Sequence, residues 1–111
     1  MIDQKLEQEI QLLHKRICHA LADPKRVLII YALAEGPLCV NELVEVLNIS
    51  QPTVSRHLGV LRDRGLVNTE RKGTAIYYNL ADRRLIDALD LLRAILAAQL
   101  AANADLAQSL S

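Results

Sequence analysis

Apolar residues return along the first third of the chain at helical intervals. Leu6, Ile10, Leu13, Ile17 and Leu21 follow at steps of four, three, four and four, which aligns them on one face of a helix through roughly residues 3–21. Asp23-Pro24 reads as an N-cap followed by proline at the first helical position, where the missing N–H is not needed, and VLIIYALAE continues as a buried helix to Gly36-Pro37. A third, short helix opens at Cys39 and runs through Asn41, Glu42, Leu43, Val46 and Leu47 to Asn48. After the turn Asn48-Ile49-Ser50, Ser50 caps a fourth helix. Gln51 and Pro52 stand in its first turn, Val54, Leu58 and Leu61 mark its buried side at i, i+4 and i+7, and Gly65 stops it.

The pattern then changes period. Two β-prone segments, Leu66–Glu70 and Ala75–Leu80, flank the turn Arg71-Lys72-Gly73-Thr74, which predicts a hairpin with a basic tip. Asp82 caps a last helix that runs to about residue 108, on the order of 40 Å at 1.5 Å per residue. Between Leu91 and Ala102 only Arg93 and Gln99 are polar, so no single stripe faces a core. Alanines at 94, 97, 98, 101 and 102 let a neighbouring helix come close. A dimer interface built from this helix and the first one follows. The alternative, an overlong core helix within a monomer, asks for more covering surface than a domain of 111 residues has.

Composition sharpens this reading. There is no Phe or Trp, and only Tyr31, Tyr77 and Tyr78 are aromatic, so the core is built from Leu, Ile, Val and Ala, which favours helices. Net charge is zero, yet residues 50–75 set Arg56, Arg62, Arg64, Arg71 and Lys72 against Asp63 and Glu70 alone. A local basic stretch in a neutral chain is the footprint of a DNA-contacting element, with a solvated basic face as the plainer alternative. The start MIDQKLEQEIQ lacks the zones of a signal peptide, and the uncharged run Ala94–Ala104 is too short for a bilayer, so a cytoplasmic protein without membrane contact is expected. Two cysteines in that setting leave metal binding, redox chemistry or inert core thiols.

Two short helices joined by a tight turn form a helix-turn-helix whose second member starts with small polar residues and can enter the major groove. Ser50, Gln51, Thr53, Ser55 and Arg56 supply donors and acceptors for base edges on its exposed side. Arg62 and Arg64 late in the helix, with Arg71 and Lys72 at the hairpin tip, are placed to neutralise phosphates or enter the minor groove. His57 has two readings, a phosphate contact or a histidine packed at the helix edge under the hairpin. An enzyme fits badly: no nucleophile-and-base arrangement, phosphate-cradling glycine loop or closed metal set is present in the sequence.

The runs LADPKRVLIIYAL, LCVNELVEVLNISQPTVSRHLGVLRDRGLV and RKGTAIYYNL resemble the ArsR/SmtB family of winged-helix repressors over about residues 17–82, SQPTVSRHLGVLRDRGLV being the most specific part. The fold expected is mainly α with a small β-hairpin wing, a winged helix-turn-helix dimerising through its N- and C-terminal helices. Residues 1–111 form one domain, with 1–22 and 82–111 as dimerisation helices, 39–65 as helix-turn-helix and 66–80 as wing. The resemblance implies a homodimer that binds a palindromic operator in double-stranded DNA and an inducer that loosens the complex. Twofold-related recognition helices then stand about 34 Å apart, one turn of DNA.

The resemblance also bears on the inducer. Some members carry ELCVCDLC at the start of the third helix and bind arsenic or cadmium there; Cys39 matches its first thiol, while Asn41 and Val44 replace the others. Members that bind zinc, nickel or cobalt use His with Asp or Glu on the last helix, and here no histidine follows His57. Members that sense persulfides pair a cysteine of the second helix with one of the last, and neither is present. What remains is Cys39 with Cys18, and His14 and His19 as further candidate ligands; His14 and Cys18, four apart, share a helix face. A thiol caps a helix weakly, but backbone N–H groups and the helix dipole favour its thiolate. The expectation is a thiol sensor at Cys18 and Cys39 that takes up arsenite or another thiophilic metal ion, or is oxidised. The alternatives are a winged-helix regulator without thiol sensing, a weak cap and a packed thiol, or a protein–protein interaction module on the same scaffold.

Overall fold

The computed structural model describes residues 1–110. Helix α1 spans Gln4–Leu13 and continues into a π-helical turn, His14–Cys18. Then follow α2 (Pro24–Leu33), β1 (Leu38–Cys39), α3 (Val40–Leu47), α4 (Gln51–Asp63), β2 (Val67–Lys72), β3 (Ala75–Leu80) and α5 (Arg84–Leu110). The strands form one antiparallel sheet in the order β1-β3-β2. The fold is mainly α with a small wing, as the sequence predicts, and no described helix is long and apolar enough to cross a membrane.

Local chemistry fixes the helix starts. Asp3 accepts the Leu6 N–H at 2.8 Å, Asp23 that of Lys25 at 2.8 Å, and Asp82 that of Arg84 at 2.9 Å, each satisfying an orphan donor of a first turn. Ser50 departs from the expectation. It occupies the N-cap of α4 without a side-chain bond to the backbone, and its hydroxyl donates to Thr53 Oγ1 at 2.8 Å. The core joins Ile29, Ile30 and Leu33 of α2, Leu43 of α3, Val54, Leu58 and Leu61 of α4, Leu66 and Val67, and Leu89 of α5.

The first helix differs from a simple amphipathic rod. No residue of Gln4–Leu13 is buried; Ile10 and Leu13 of the apolar stripe lie open to solvent. Ile17, within the π turn, packs on the core, and beyond the turn, where the His19 N–H reaches the His14 carbonyl, Ala20 is fully buried and Leu21 packs on the core. The wide turn therefore re-registers the helix between a solvent-facing apolar stripe and the domain. At the other end, Leu85 and Ile86 pack on the core and Leu89 is buried, after which Leu91, Leu92, Ile95, Leu96, Leu100, Leu106 and Leu110 are all exposed. The expected dimerisation segment 82–111 ends on Ser111, which lies outside the described residues.

The wing is longer than its β-propensity suggests. Lys72 pairs with Ala75, so the loop is only Gly73-Thr74, and Arg71 and Lys72 belong to β2 rather than to the turn. Gly73, at φ 64, makes this possible, since two-residue hairpin turns need a positive φ.

Candidate nucleic-acid interface

Asn48, in the left-handed region at φ 53, ends α3 and turns the chain toward α4, a conformation asparagine tolerates better than most residues. Val54, Leu58 and Leu61 are completely buried, which pins one side of α4 to the domain and fixes which side faces out. Outward stand Gln51, Ser55 and Arg56, with Thr53 half-buried beside them. Gln51 Nε2 donates to Ser55 Oγ at 3.1 Å, and Ser50 to Thr53 as described, so the polar residues of the first two turns brace one another. That bracing restrains the rotamers of a surface otherwise free to pay entropy on binding. Pro52 fits here because its missing N–H falls within the first turn.

Basic groups continue the surface. Arg62, Arg71 and Lys72 are exposed and Arg64 is half-buried. The Lys72 ammonium lies 5.7 Å from the centre of the Tyr77 ring, a cation–π contact across the hairpin that holds the charge close to the wing.

His57 does not join this surface. It is 3% exposed, and a group sealed from solvent cannot meet a phosphate, so the contact reading is corrected. Nor is the wing its partner: Nδ1 lies 3.4 Å from Arg26 Nη1, and Nε2 lies 3.9 Å from Asp23 Oδ2, beyond hydrogen-bond length. Burial pushes the imidazole below its ordinary pKa; Asp23 opposes that shift, and the Arg26 charge adds to it. Asp23 itself is held below the usual carboxylate value, chiefly by the N–H of Lys25.

The candidate sensing residues fall in two places. Cys39 is the N-cap of α3 and pairs with Tyr77 across β1–β3; this two-residue strand was not foreseen. Its N–H donates to Glu42 Oε1 at 3.1 Å, and this bond, followed by one from the thiol, lowers the Glu42 pKa. The opening "Cys39-x-x-Glu42" is thus a capping box with a thiol in the hydroxyl's place. Half-buried, Cys39 lines a groove with Val40, Asn41, Thr74, Ala75, Ile76 and Tyr78. Cys18 is exposed on the π turn, with His14 and His19 exposed beside it, rather than packed at a helix edge. Among the described residues of one subunit, no three His, Cys, Asp or Glu side chains cluster to hold a metal.

Two polar junctions were missed in the sequence. Tyr31 of α2 donates to Asp90 Oδ1 at 2.6 Å, Arg93 donates to the same oxygen at 3.2 Å, and the Arg93 guanidinium lies 5.1 Å from the Tyr31 ring, which ties α5 to the domain. Arg26 is the other. It falls on the stripe of Ile29, Ile30 and Leu33, and an arginine at i, i+3, i+4, i+7 with three buried aliphatics was the signal for it.

The comparisons agree with this geometry. The family described as "Bacterial regulatory protein, arsR family" matches residues 23–69, from the cap of α2 into β2. The "Biofilm growth-associated repressor" of Agrobacterium fabrum is 42% identical over 89 residues, 78% of this chain and 73% of that protein. The "HTH-type transcriptional repressor SmtB" of Mycobacterium tuberculosis is 45% identical over 69 residues, 62% of this chain but only about half, 51%, of that protein. Among solved structures, reduced HlyU from Vibrio cholerae superposes with a TM-score of 0.73 at 30% identity, over 84% of this chain and 97% of that one. A homodimeric winged helix-turn-helix DNA-binding domain from Mycobacterium bovis gives 0.75 at 25% identity, over 89% and 91%. With the helix-turn-helix matched by the family and a relative 42% identical over 78% of the chain, the chain belongs to the arsR family of bacterial regulatory proteins, winged-helix regulators of transcription.

Proposed function

We propose that this protein is a homodimeric transcriptional repressor that reads a palindromic operator with α4 and clamps the flanking backbone with its wing. The observation that carries the reading is the division of α4 into a sealed apolar side, Val54, Leu58 and Leu61, and a braced polar side, Gln51, Thr53, Ser55 and Arg56. Ser50 supports the polar side, and Arg62, Arg71 and Lys72 meet phosphates. Segments 1–22 and 82–111 form the dimer interface, supported by the apolar residues that α1 and α5 leave uncovered. The repressors among the relatives support the direction of regulation.

Release is assigned to thiol chemistry at Cys18 and Cys39. An exposed thiol beside two histidines, and a second one in a groove against the wing, are both open to a thiophilic species such as arsenite, whose hydroxo ligands leave as water with the thiol protons as As–S bonds form, or to an oxidant such as peroxide. Since one subunit gathers no metal cluster among its described residues, a metal site would be shared between subunits. The engagement of Cys39 with Glu42 favours a second reading, in which Cys39 serves as a cap and the regulator works without thiol sensing.

Selection of bound duplexes from a random-sequence pool tests the DNA reading: enrichment of one palindromic motif is expected, and no enrichment contradicts it. On the selected duplex, Cys39→Ser and Cys18→Ser proteins should resist release by arsenite or peroxide. Release equal to wild type removes the thiol assignment and leaves the second reading.

A further inference from the structure

Arg26 uses its whole guanidinium. Nε donates to the Ala20 carbonyl at 2.6 Å and Nη2 to the His19 carbonyl at 3.1 Å, both where the first helix ends, while Nη1 meets His57 Nδ1 at 3.4 Å. One side chain of α2 thus joins the end of the dimer-side helix to the middle of α4. A guanidinium only donates, so Nδ1 must be the acceptor. His57 is then neutral with its proton on Nε2, toward Asp23. His57 lies next to Arg56, within the segment whose outward residues face DNA in the reading above.

We propose that Arg26 is a positioning residue for operator recognition, fixing the attitude of α4 against the end of the first helix through the Nδ1 atom of His57. The inference rests on the DNA reading and adds a part to it. Contacts to base edges need α4 in one orientation, whereas contacts to phosphates tolerate small rotations. Loosening the Arg26 link therefore costs preference for the operator more than affinity for DNA in general. Protonation loosens the same link, because it places a second donor and a positive charge on Nδ1 against Nη1. The charged groups acting on the ring are Asp23, Lys25 and Arg26 of α2 and Arg56 of α4, and only Asp23 favours the imidazolium.

The test measures binding of the full-length protein to the duplex selected by wild type and to an unselected duplex of equal length, with folding followed by circular dichroism. Arg26→Lys keeps the charge but cannot span three acceptors. We expect it to lose about tenfold in preference, or about 1.4 kcal/mol, at nearly unchanged affinity for unselected DNA. His57→Leu, which lacks the acceptor, should lose a similar factor, and His57→Asn, whose Oδ1 stands near the place of Nδ1, should keep its preference. Wild type should keep its preference down to the ordinary histidine pKa of about 6.5 and lose it only as pH falls below that, because burial delays protonation of His57, while His57→Asn should not lose it. Arg26→Lys with wild-type preference, equal behaviour of His57→Leu and His57→Asn, or parallel pH profiles of His57→Asn and wild type overturns the proposal. If Arg26→Lys or His57→Leu does not fold, the pH arm of wild type against His57→Asn decides; if His57→Asn does not fold, the preference of Arg26→Lys decides. Enrichment of a motif followed by indifferent variants sinks the positioning role alone; no enrichment sinks the DNA reading and the inference together.

Discussion

Leu96→Ala probes the proposed dimer. Leu96 follows Leu89 by seven residues, so it continues within about 20° the line of α5 that packs on the core, but it lies beyond the domain and is 54% exposed. Leu-to-Ala removes three carbons, about 2.4 kcal/mol at about 0.8 per methylene if fully buried. Only the half still exposed can be covered by a partner, which leaves about 1.3 kcal/mol per copy. Twofold symmetry counts the site twice, for about 2.6 kcal/mol, just under a hundredfold in dimer dissociation constant. Sedimentation equilibrium measures that constant. Val46→Ala, even more exposed but on α3, should leave it unchanged. A wild-type chain that sediments as a monomer, or a Leu96→Ala dimer as tight as wild type, would refute the assignment of α5 to the interface.

Two further outcomes follow from the site and the caps. Arg56→Ala should relax sequence preference by about 1–3 kcal/mol at one operator position, whereas Lys72→Ala should weaken all duplexes alike; a mobility-shift comparison of selected and unselected DNA separates them. Asp82, held down to about 2 by its hydrogen bonds with Arg84, contributes stability to the start of α5 that is full above the ordinary carboxylate pKa and lost as pH falls from about 4 through about 2. Thermal unfolding should therefore show a steeper acid decline in wild type than in Asp82→Ala, and equal slopes would remove that role.

Elements with local causes were legible along the chain. Asp23-Pro24 and Cys39-x-x-Glu42 open α2 and α3, Gly65 at φ 74 closes off α4, and the change from helical to alternating spacing announces the hairpin. The polar front of α4 was legible for the same reason, since apolar positions at i, i+4 and i+7 fix which residues face out. What escaped depends on partners distant in sequence. Leu38 and Cys39 become a strand by pairing with Tyr77 and Tyr78, and the partner of His57 is Arg26, 31 positions earlier in the chain. Ser50 stands at the N-cap position, but its hydroxyl bonds the Thr53 side chain and not the backbone.

Fluorescence anisotropy of wild-type protein on its selected duplex, across a salt series, tests the central claim most directly. If Arg62, Arg71 and Lys72 from each of two subunits neutralise about six phosphates, the logarithm of the association constant should fall linearly with the logarithm of salt concentration, with a slope of about −5. Failure to bind duplex DNA at low ionic strength, or binding whose affinity ignores salt, would contradict it.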